Sequence, residues 1–514
     1  MGSLRKFLFA SLPTLLLFGV FALGFLGEPE NDPWINASPL WGPGDPFYSV
    51  DPRRANHLSH PVLIWRGRPG YVGEYLYPEA GVLNRFGNNE WGFRDDEVAD
   101  PKPDSVVRVL NVGDSATWGL NLPGRGASYS DQLEAMLARR ASAGVRYDVV
   151  NGGVVGYSSL QGVQLLRSWL GDLDPDVVTV YLGNNDSSPG SVKDAERVAA
   201  TAGPLHGALQ RNRFYLLLQK GLLHLRAGRL EKQRAVLQQR QAKKEAYDSP
   251  EGFYRLAARV TPDQYEENLR EMVRLVRDAG ARPILIEVPM NLVWPLRVRP
   301  FPSDQLVELN WWGATKIELG YLERVRAGKP VCGRSLAGHP YLCLIEPSDL
   351  VSKGVVDAVE LARRAADPSL TERERLRSAH NGALRELVEG NPARALRRFE
   401  AVMAGAEDCD CLRPRQRAWV LYNLGIARLV LGEEDAAFDA LGRARATWPF
   451  AISPDYTERF HRVVEELGVE WVDLPKLFAE ADPRFRGSAL IHDWVHPNPR
   501  GNAIIARALA DKLR

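Results

Sequence analysis

The chain has 514 residues, a formal net charge of +1, 45% hydrophobic and 25% charged residues. That length exceeds one ordinary domain, so two or three are expected, and the composition is that of a globular rather than a disordered chain. Charge this close to balance leaves no basic footprint for nucleic acid, and no nucleic-acid motif is present, so no such partner is expected.

In chain order, the first feature is an uncharged apolar run over residues 7–26, preceded by Arg5 and Lys6 and followed by Glu28, Glu30 and Asp32. A helix rising about 1.5 Å per residue would carry this run across a hydrocarbon core of about 30 Å. Basic residues before the span and acidic ones after it put the amino terminus inside and the body outside. The competing reading is a cleaved signal peptide, but its apolar region is usually about 7–15 residues, and no A-x-A site follows here. Residues 1–27 are read as a signal anchor, a transmembrane helix, and either reading exports the body to the periplasmic or extracellular side.

Residues 28–103, rich in Pro, Gly and Trp, read as an irregular extension. Within it, Asn89-Glu90-Trp91-Gly92-Phe93-Arg94 is by itself a turn with an aromatic. From residue 104, strand and helix alternate: strand 106–112, helix 128–140 with Leu133, Met136 and Leu137 at helical spacing, strand 146–150, helix 159–170, and strand 177–182 ending at Gly183-Asn184-Asn185-Asp186. Alternation of this kind argues for a parallel sheet covered by helices on both faces, with functional groups collecting at the carboxyl ends of its strands. Residues 205–248 break the pattern with an apolar and then a basic stretch, read as a helical excursion or, alternatively, a lid or interfacial segment against an anionic surface. The pattern resumes with a helix at 262–279, N-capped by Thr261, and a strand at 283–288. Residues 104–299 thus form the first part of the sheet domain.

Residues 300–455 turn helical. Leu387, Gly390, Ala395 and Phe399 recur as Leu429, Gly432, Ala437 and Leu441, each 42 residues later. This resembles the tetratricopeptide repeat, a pair of antiparallel helices, with a lengthened turn; unrelated helices in an insert are the alternative. Two repeats are fewer than the three a stack normally needs, so they are expected to lean on a flanking helix near 355–366 or on the sheet domain, and to offer a surface to a protein partner. Residues 456–514 complete the sheet domain with a strand at 469–474, a loop at 493–496 and a helix at 502–513. Of the four cysteines, Cys332 and Cys343 are the favoured pair, Cys409 and Cys411 being too close to bond without strain. A zinc site on all four is disfavoured because C-x-C is not a usual structural-zinc spacing, and neither metal nor cofactor is expected.

The chemistry lies in four polar blocks. Acyl transfer from an ester needs a nucleophile, a base, a group that orients the base, and donors for the oxyanion. Ser115 follows a strand in Gly113-Asp114-Ser115, and His496 ends Asp493-Trp494-Val495-His496, where Asp493 can reach back to the imidazole. His492 is the alternative base, but it has no acid three residues before it. Together with Asn151-Gly152-Gly153-Val154-Val155-Gly156 and Gly183-x-Asn185-Asp186, these blocks resemble the SGNH (GDSL-type) hydrolase superfamily over about 190 residues. The stretch at 89–94 is similar to one found upstream in membrane-anchored members. The resemblance implies a flavodoxin-like three-layer α/β/α sandwich, with Ser115 as nucleophile, His496 as base and Asp493 as its partner. It also implies an oxyanion hole from the N–H groups of Ser115 and Gly156 and the Asn185 amide, Gly156 being favoured over Gly153. Asp114 and Asp186 are expected to be structural; Trp118 and Tyr157 pack, or else form a sugar platform or acyl pocket.

The first functional expectation is therefore an exported, membrane-anchored esterase acting on an acylated small molecule or on O-acetyl or O-acyl groups of envelope carbohydrate. An O-acyltransferase on an exported polysaccharide would use the same residues. An assembly or binding protein working through its repeats is the third reading, and a serine peptidase satisfies the triad chemistry alone.

Overall fold

The computed structural model describes residues 56–60, 62–77, 82–188, 193–201, 258–293, 315–316, 343–344, 358–447 and 453–513. The apolar run at 7–26, the excursion at 205–248 and the Cys332–Cys343 pairing lie outside the described residues. Among the described residues, no helix is long and apolar enough to cross a membrane.

Five parallel strands form the central sheet: β1 (Val106–Gly113), β2 (Arg146–Gly153), β3 (Val177–Tyr181), β4 (Arg282–Ile286) and β5 (Glu470–Val472), in the order β5-β4-β3-β1-β2. This is the doubly wound order of flavodoxin-like sheets, whose direction of winding reverses between β1 and β3. The strands form because their sequences suit a sheet covered on both sides. β3 reads Val-Val-Thr-Val-Tyr with every residue buried, the β-branched, continuously apolar pattern of a parallel strand.

The flanking helices are α1 (Ser115–Trp118), α2 (Tyr129–Arg140), α3 (Ser159–Leu173) and α4 (Pro262–Asp278). Successive residues of β1 show that α2 and α3 cover opposite faces. Asn111 donates to Ser130 Oγ of α2 at 2.9 Å, whereas Val112 points at Gly162 of α3, where an added Cβ would come within 3.7 Å of its methyl. The starts of α3 and α4 are set by reciprocal capping boxes, Ser158 with Gln161 and Thr261 with Gln264, the latter reinforced by Pro262 in the first turn.

The polypeptide between β4 and β5 contains α5 (Ala358–Ala365), α6 (Glu372–Val388), α7 (Pro392–Cys409), α8 (Pro414–Leu431) and α9 (Glu434–Thr447), each packed on the next. The residues spaced by 42 occupy matching places. Gly390 and Gly432 lie just past α6 and α8 with φ of 97° and 83°, and the side chains of Ala395, Phe399, Ala437 and Leu441 are buried in the helices that follow. Three further helices, α10 (Pro454–Leu467), α11 (Leu474–Ala481) and α12 (Pro499–Lys512), complete this unit. The first two were not read from the sequence. α10 packs on α4, and α12 packs on α2.

Two expectations are corrected. Cys409 and Cys411 form a disulfide. α7 ends at Cys409, and Asp410 adopts a left-handed conformation with φ of 45°, which turns the chain back and brings the two Cα atoms to 5.1 Å. That bond removes both residues from any four-cysteine zinc set. The extension at 28–103 is also not wholly irregular. A smaller unit around residues 56–73 and 87–98 contains an antiparallel hairpin, His57–His60 with Ile64–Gly67. Strands of four residues are too short for an alternating pattern to stand out among Pro and Gly. In the same unit, Asn89 Oδ1 accepts the N–H groups of Trp91 and Phe93 at 3.0 Å each, so the 89–94 stretch is a side-chain-nucleated turn.

Candidate active site

β1 delivers Ser115 to the carboxyl edge of the sheet, beside the point where the winding reverses. Gly113 makes the exit turn through its small size. A Cβ there would lie 1.8 Å from Thr117 Oγ1 and 3.1 Å from the Tyr181 carbonyl oxygen. Asp114 caps α1 by accepting the Ala116 N–H at 2.8 Å and takes a second hydrogen bond from Asn184 Nδ2 at 2.9 Å. Burial pushes the Asp114 carboxyl up to about 6, against the opposing pull of these donors and of the His496 charge.

The second half of the site is an irregular loop. An isolated bridge joins Ile491 to Pro497, and the His492 N–H donates to the His496 carbonyl at 2.9 Å, pinching residues 492–496 into a compact turn. Asn498 caps α12 through the N–H groups of Arg500 and Gly501, each at 3.0 Å, and its own amide donates to Ala489 O at 2.9 Å. Asn502 donates to Pro497 O at 2.8 Å and accepts the Tyr129 N–H at 3.0 Å, tying the loop to α2.

These two halves meet. His496 Nε2 lies 2.7 Å from Ser115 Oγ, and His496 Nδ1 lies 2.7 Å from Asp493 Oδ2. Both Ser115 and His496 are 2% exposed, so water competes little for either contact. Asp493 Oδ1 accepts the N–H groups of Val495 and His496 at 3.0 Å each, and Asn121 Nδ2 donates to Oδ2 at 3.3 Å. Burial alone would raise the Asp493 carboxyl; the His496 charge, its hydrogen bond and the two backbone donors outweigh that and hold it well below the usual carboxylate range. An ionised Asp493 keeps the ring proton on Nδ1, so Nε2 presents its lone pair to the serine hydroxyl. The ring that meets Ser115 belongs to His496; His492, the alternative base, contributes its backbone to the loop.

The chain after β2 lies against the serine turn, because the Val154 N–H donates to Gly113 O at 3.0 Å. Gly156 takes φ of 81° in the next turn, a conformation suited to glycine, and its carbonyl accepts Arg259 Nη1 at 2.8 Å. Arg259 also donates from Nη2 to Gln161 at 2.8 Å. Among the described residues, neither the Ser115 nor the Gly156 N–H donates to a protein acceptor. By contrast, the Gly153 N–H is engaged by Asn151 Oδ1 at 3.1 Å, and Gly153 serves close packing, since a Cβ there would sit 2.3 Å from the Trp118 nitrogen. Asn185 is engaged within the protein. Its amide donates to Tyr157 O at 3.0 Å and to Asp114 Oδ2 at 3.4 Å, so helping an oxyanion would require release of the longer contact.

Trp118 and Tyr157 are buried, the Trp118 ring meeting Phe86 edge-on at 4.9 Å, so both pack rather than offering a sugar platform. Asp186 accepts the Ser159 N–H at the start of α3, a structural role. Asn121, Asn291 and Arg259 were not found by sequence reasoning. Each is a lone polar residue outside the four blocks, and only Asn121, left-handed with φ of 63°, is of a type that its conformation favours.

Residues 112–316 match the model of the GDSL-like Lipase/Acylhydrolase family. Over those residues, less than half of its length, the chain is similar to that family. The match ends before Asp493 and His496, which only the folded chain brings to Ser115. Several solved structures are similar. A GDSL-like lipase from Bacteroides thetaiotaomicron VPI-5482 is 14% identical, over 38% of this chain and 52% of its own, with a TM-score of 0.17. LAE5, an alpha/beta hydrolase enzyme from the metagenome of Lake Arreo, Spain, is 15% identical over 79% of this chain and 94% of its own, with a TM-score of 0.28. TesA is 16% identical over 56% and 99%, with a TM-score of 0.20. The chain spans about half the length of the Bacteroides thetaiotaomicron lipase, 52%, and of an acylhydrolase structure from Bacteroides fragilis NCTC 9343, 55%, to which it is 14% identical with a TM-score of 0.19. No curated protein matches it.

Proposed function

We propose that this chain is a serine esterase for oxygen esters, with Ser115 as nucleophile, His496 as general base and Asp493 as the group that orients and stabilises the imidazole. The observation that carries the reading is the buried relay of two 2.7 Å contacts between side chains up to 381 residues apart. In acylation, His496 Nε2 takes the proton from Ser115 Oγ as the oxygen attacks the ester carbonyl carbon. The carbonyl oxygen becomes the oxyanion, served by the N–H groups of Ser115 and Gly156. As the tetrahedral species collapses, the ester C–O bond breaks and His496 returns its proton to the leaving alcohol. Water then repeats the sequence on the acyl-enzyme and releases the acid and Ser115.

Export and membrane anchorage belong to the same proposal. They are supported by the apolar run at 7–26 with basic residues before it and acidic residues after it. A body outside the membrane directs the esterase toward O-acetyl or O-acyl groups on envelope carbohydrate. The two helix–turn–helix blocks, read as tetratricopeptide-like, are the part offered to a protein partner.

The test is hydrolysis of p-nitrophenyl acetate and butyrate by the full chain in detergent, beside Ser115→Ala. Turnover by the parent and none by the variant supports a working esterase, and the acetate-to-butyrate ratio sizes the acyl pocket. Equal rates in both proteins would overturn the assignment of Ser115.

A further inference from the structure

On the esterase reading, we propose that the helical insert supplies positioning residues for Asp493. Tyr422 and Arg445 act through the 291–293 turn to hold Asp493 in register with His496.

The argument begins at Asn291, a fully buried residue beyond the end of β4. Its N–H donates to Trp494 O at 3.2 Å, and its Nδ2 donates to Asp493 O at 2.6 Å. One asparagine therefore grips the loop backbone at two successive carbonyls, those of the carboxylate-bearing residue and its neighbour. The Asn291 side chain is itself oriented, because its Oδ1 accepts the Val293 N–H at 3.1 Å.

The insert holds this turn at both ends. Tyr422 of α8 donates its hydroxyl to Val293 O at 2.9 Å, and Arg445 of α9 donates Nη2 to Asn291 O at 3.3 Å. Tyr422 is 1% exposed and Arg445 3% exposed, and α8 packs directly on α9, so both donors project from one helix pair. Burial pushes the Arg445 guanidinium down to about 10. An appendage serving only an outside partner has no need to bury a tyrosine hydroxyl and a guanidinium against a turn that touches the acid loop. A carboxylate that must meet an imidazole nitrogen at 2.7 Å has such a need, since small misplacements of a reacting group are costly in rate.

The experiment uses the full chain. Tyr422→Phe removes one hydroxyl and keeps the ring; Asn291→Ala removes the side-chain grip. Each is made alone and in an Asp493→Ala background. The readouts are kcat and KM for p-nitrophenyl acetate, the second-order rate of Ser115 labelling by a fluorophosphonate probe, and the thermal midpoint. Asn291→Ala is expected to lower kcat on the order of tenfold to a hundredfold at unchanged KM, and Tyr422→Phe about threefold to tenfold. Labelling rates should fall in parallel. In the Asp493→Ala background neither change should lower kcat or labelling further, because both act through the missing carboxylate. Unchanged kcat and labelling in Tyr422→Phe, or equal losses with and without Asp493, would overturn the proposal. If Asn291→Ala does not fold, Tyr422→Phe decides alone. Labelling and turnover that survive Ser115→Ala would instead break the esterase reading itself, so the two failures are distinct.

Discussion

The serine turn and the histidine loop meet at a 2.7 Å contact but are built in opposite ways. The turn is built largely from its own residues and the neighbouring strand ends, with Val154 and Asn184 each adding one hydrogen bond. It follows the strand β1, a steric demand for Gly113 fixes its tightness, and the Asp114 cap closes it within two residues. The loop has one isolated bridge as its only regular pairing and is held by Asn121, Asn291 and Asn502, the first 372 residues from Asp493, with Asn502 itself fixed by the Tyr129 N–H. The position of Ser115 is thus set close to a strand end, whereas that of His496 belongs to the whole unit. Changes remote in sequence should therefore reach the loop more than the turn.

The largest break is at the meeting point. Ser115→Ala should lower kcat for p-nitrophenyl acetate by about 10⁶-fold with circular dichroism unchanged; an active, folded variant would remove the turn from the chemistry. Asp493→Asn should cost about 10⁴-fold, because a neutral amide no longer favours the Nδ1–H tautomer. A loss below about tenfold would mean that backbone contacts alone orient the ring.

The two carboxylates sharpen the comparison through pH. Asp114, in the turn, has its native pKa raised to about 6, so below that value the native state holds a proton that the unfolded chain, with a pKa of about 3.9, releases. Its contribution is full below about pH 4 and is lost as pH rises toward 6, by up to about 3 kcal/mol. Asp493, in the loop, is shifted downward, so its contribution is present above its unfolded pKa and is lost as pH falls below it. Urea unfolding at pH 4.5 and 7 should show Asp114→Asn losing less stability across that interval than the parent. Equal slopes would contradict the burial argument for Asp114.

Smaller effects test the distant supports. Asn121→Ala removes one donor to the Asp493 carboxylate and should lower kcat about tenfold, the worth of a hydrogen bond to a charged group. Stopped-flow acylation would show whether the loss lies in the serine-attack step. Asn498→Ala removes the α12 cap and should lower unfolding free energy by about 1 kcal/mol with little change in KM. Loss of several kcal/mol would mean that the amide contact to Ala489 matters more than the cap.

Legibility followed the same division. The strands and helices around Ser115 were readable because periodic apolar residues and capping pairs such as Thr261 with Gln264 act over a few positions. The sequence places Gly113 at the strand end; that contact with Thr117 requires glycine there is visible only in the fold. The sequence favours Gly156 over Gly153 by position in a pattern alone; that Asn151 engages the Gly153 N–H, while among the described residues no protein acceptor engages that of Gly156, is visible only in the fold. The Cys409–Cys411 bond is hidden from the sequence because their two-residue spacing closes only through the left-handed Asp410 between them. Asn121, Asn291 and Arg259 carry no local signal at all; a single polar side chain becomes meaningful only when its partner's position is known.

By itself, the sequence determined that a parallel αβ sheet would carry Ser115 at a strand end, that Asp493 would lie one turn before His496, and that helices would interrupt the domain between its last two strands. These are consequences of periodicity, capping and short-range spacing. Only the tertiary structure decided which histidine ring meets the serine, how the Asn185 amide is engaged, and that Tyr422 and Arg445 reach the turn behind Asp493. Those are contacts between residues far apart in the chain, set by the packing of whole elements, and no local pattern encodes the distance between them.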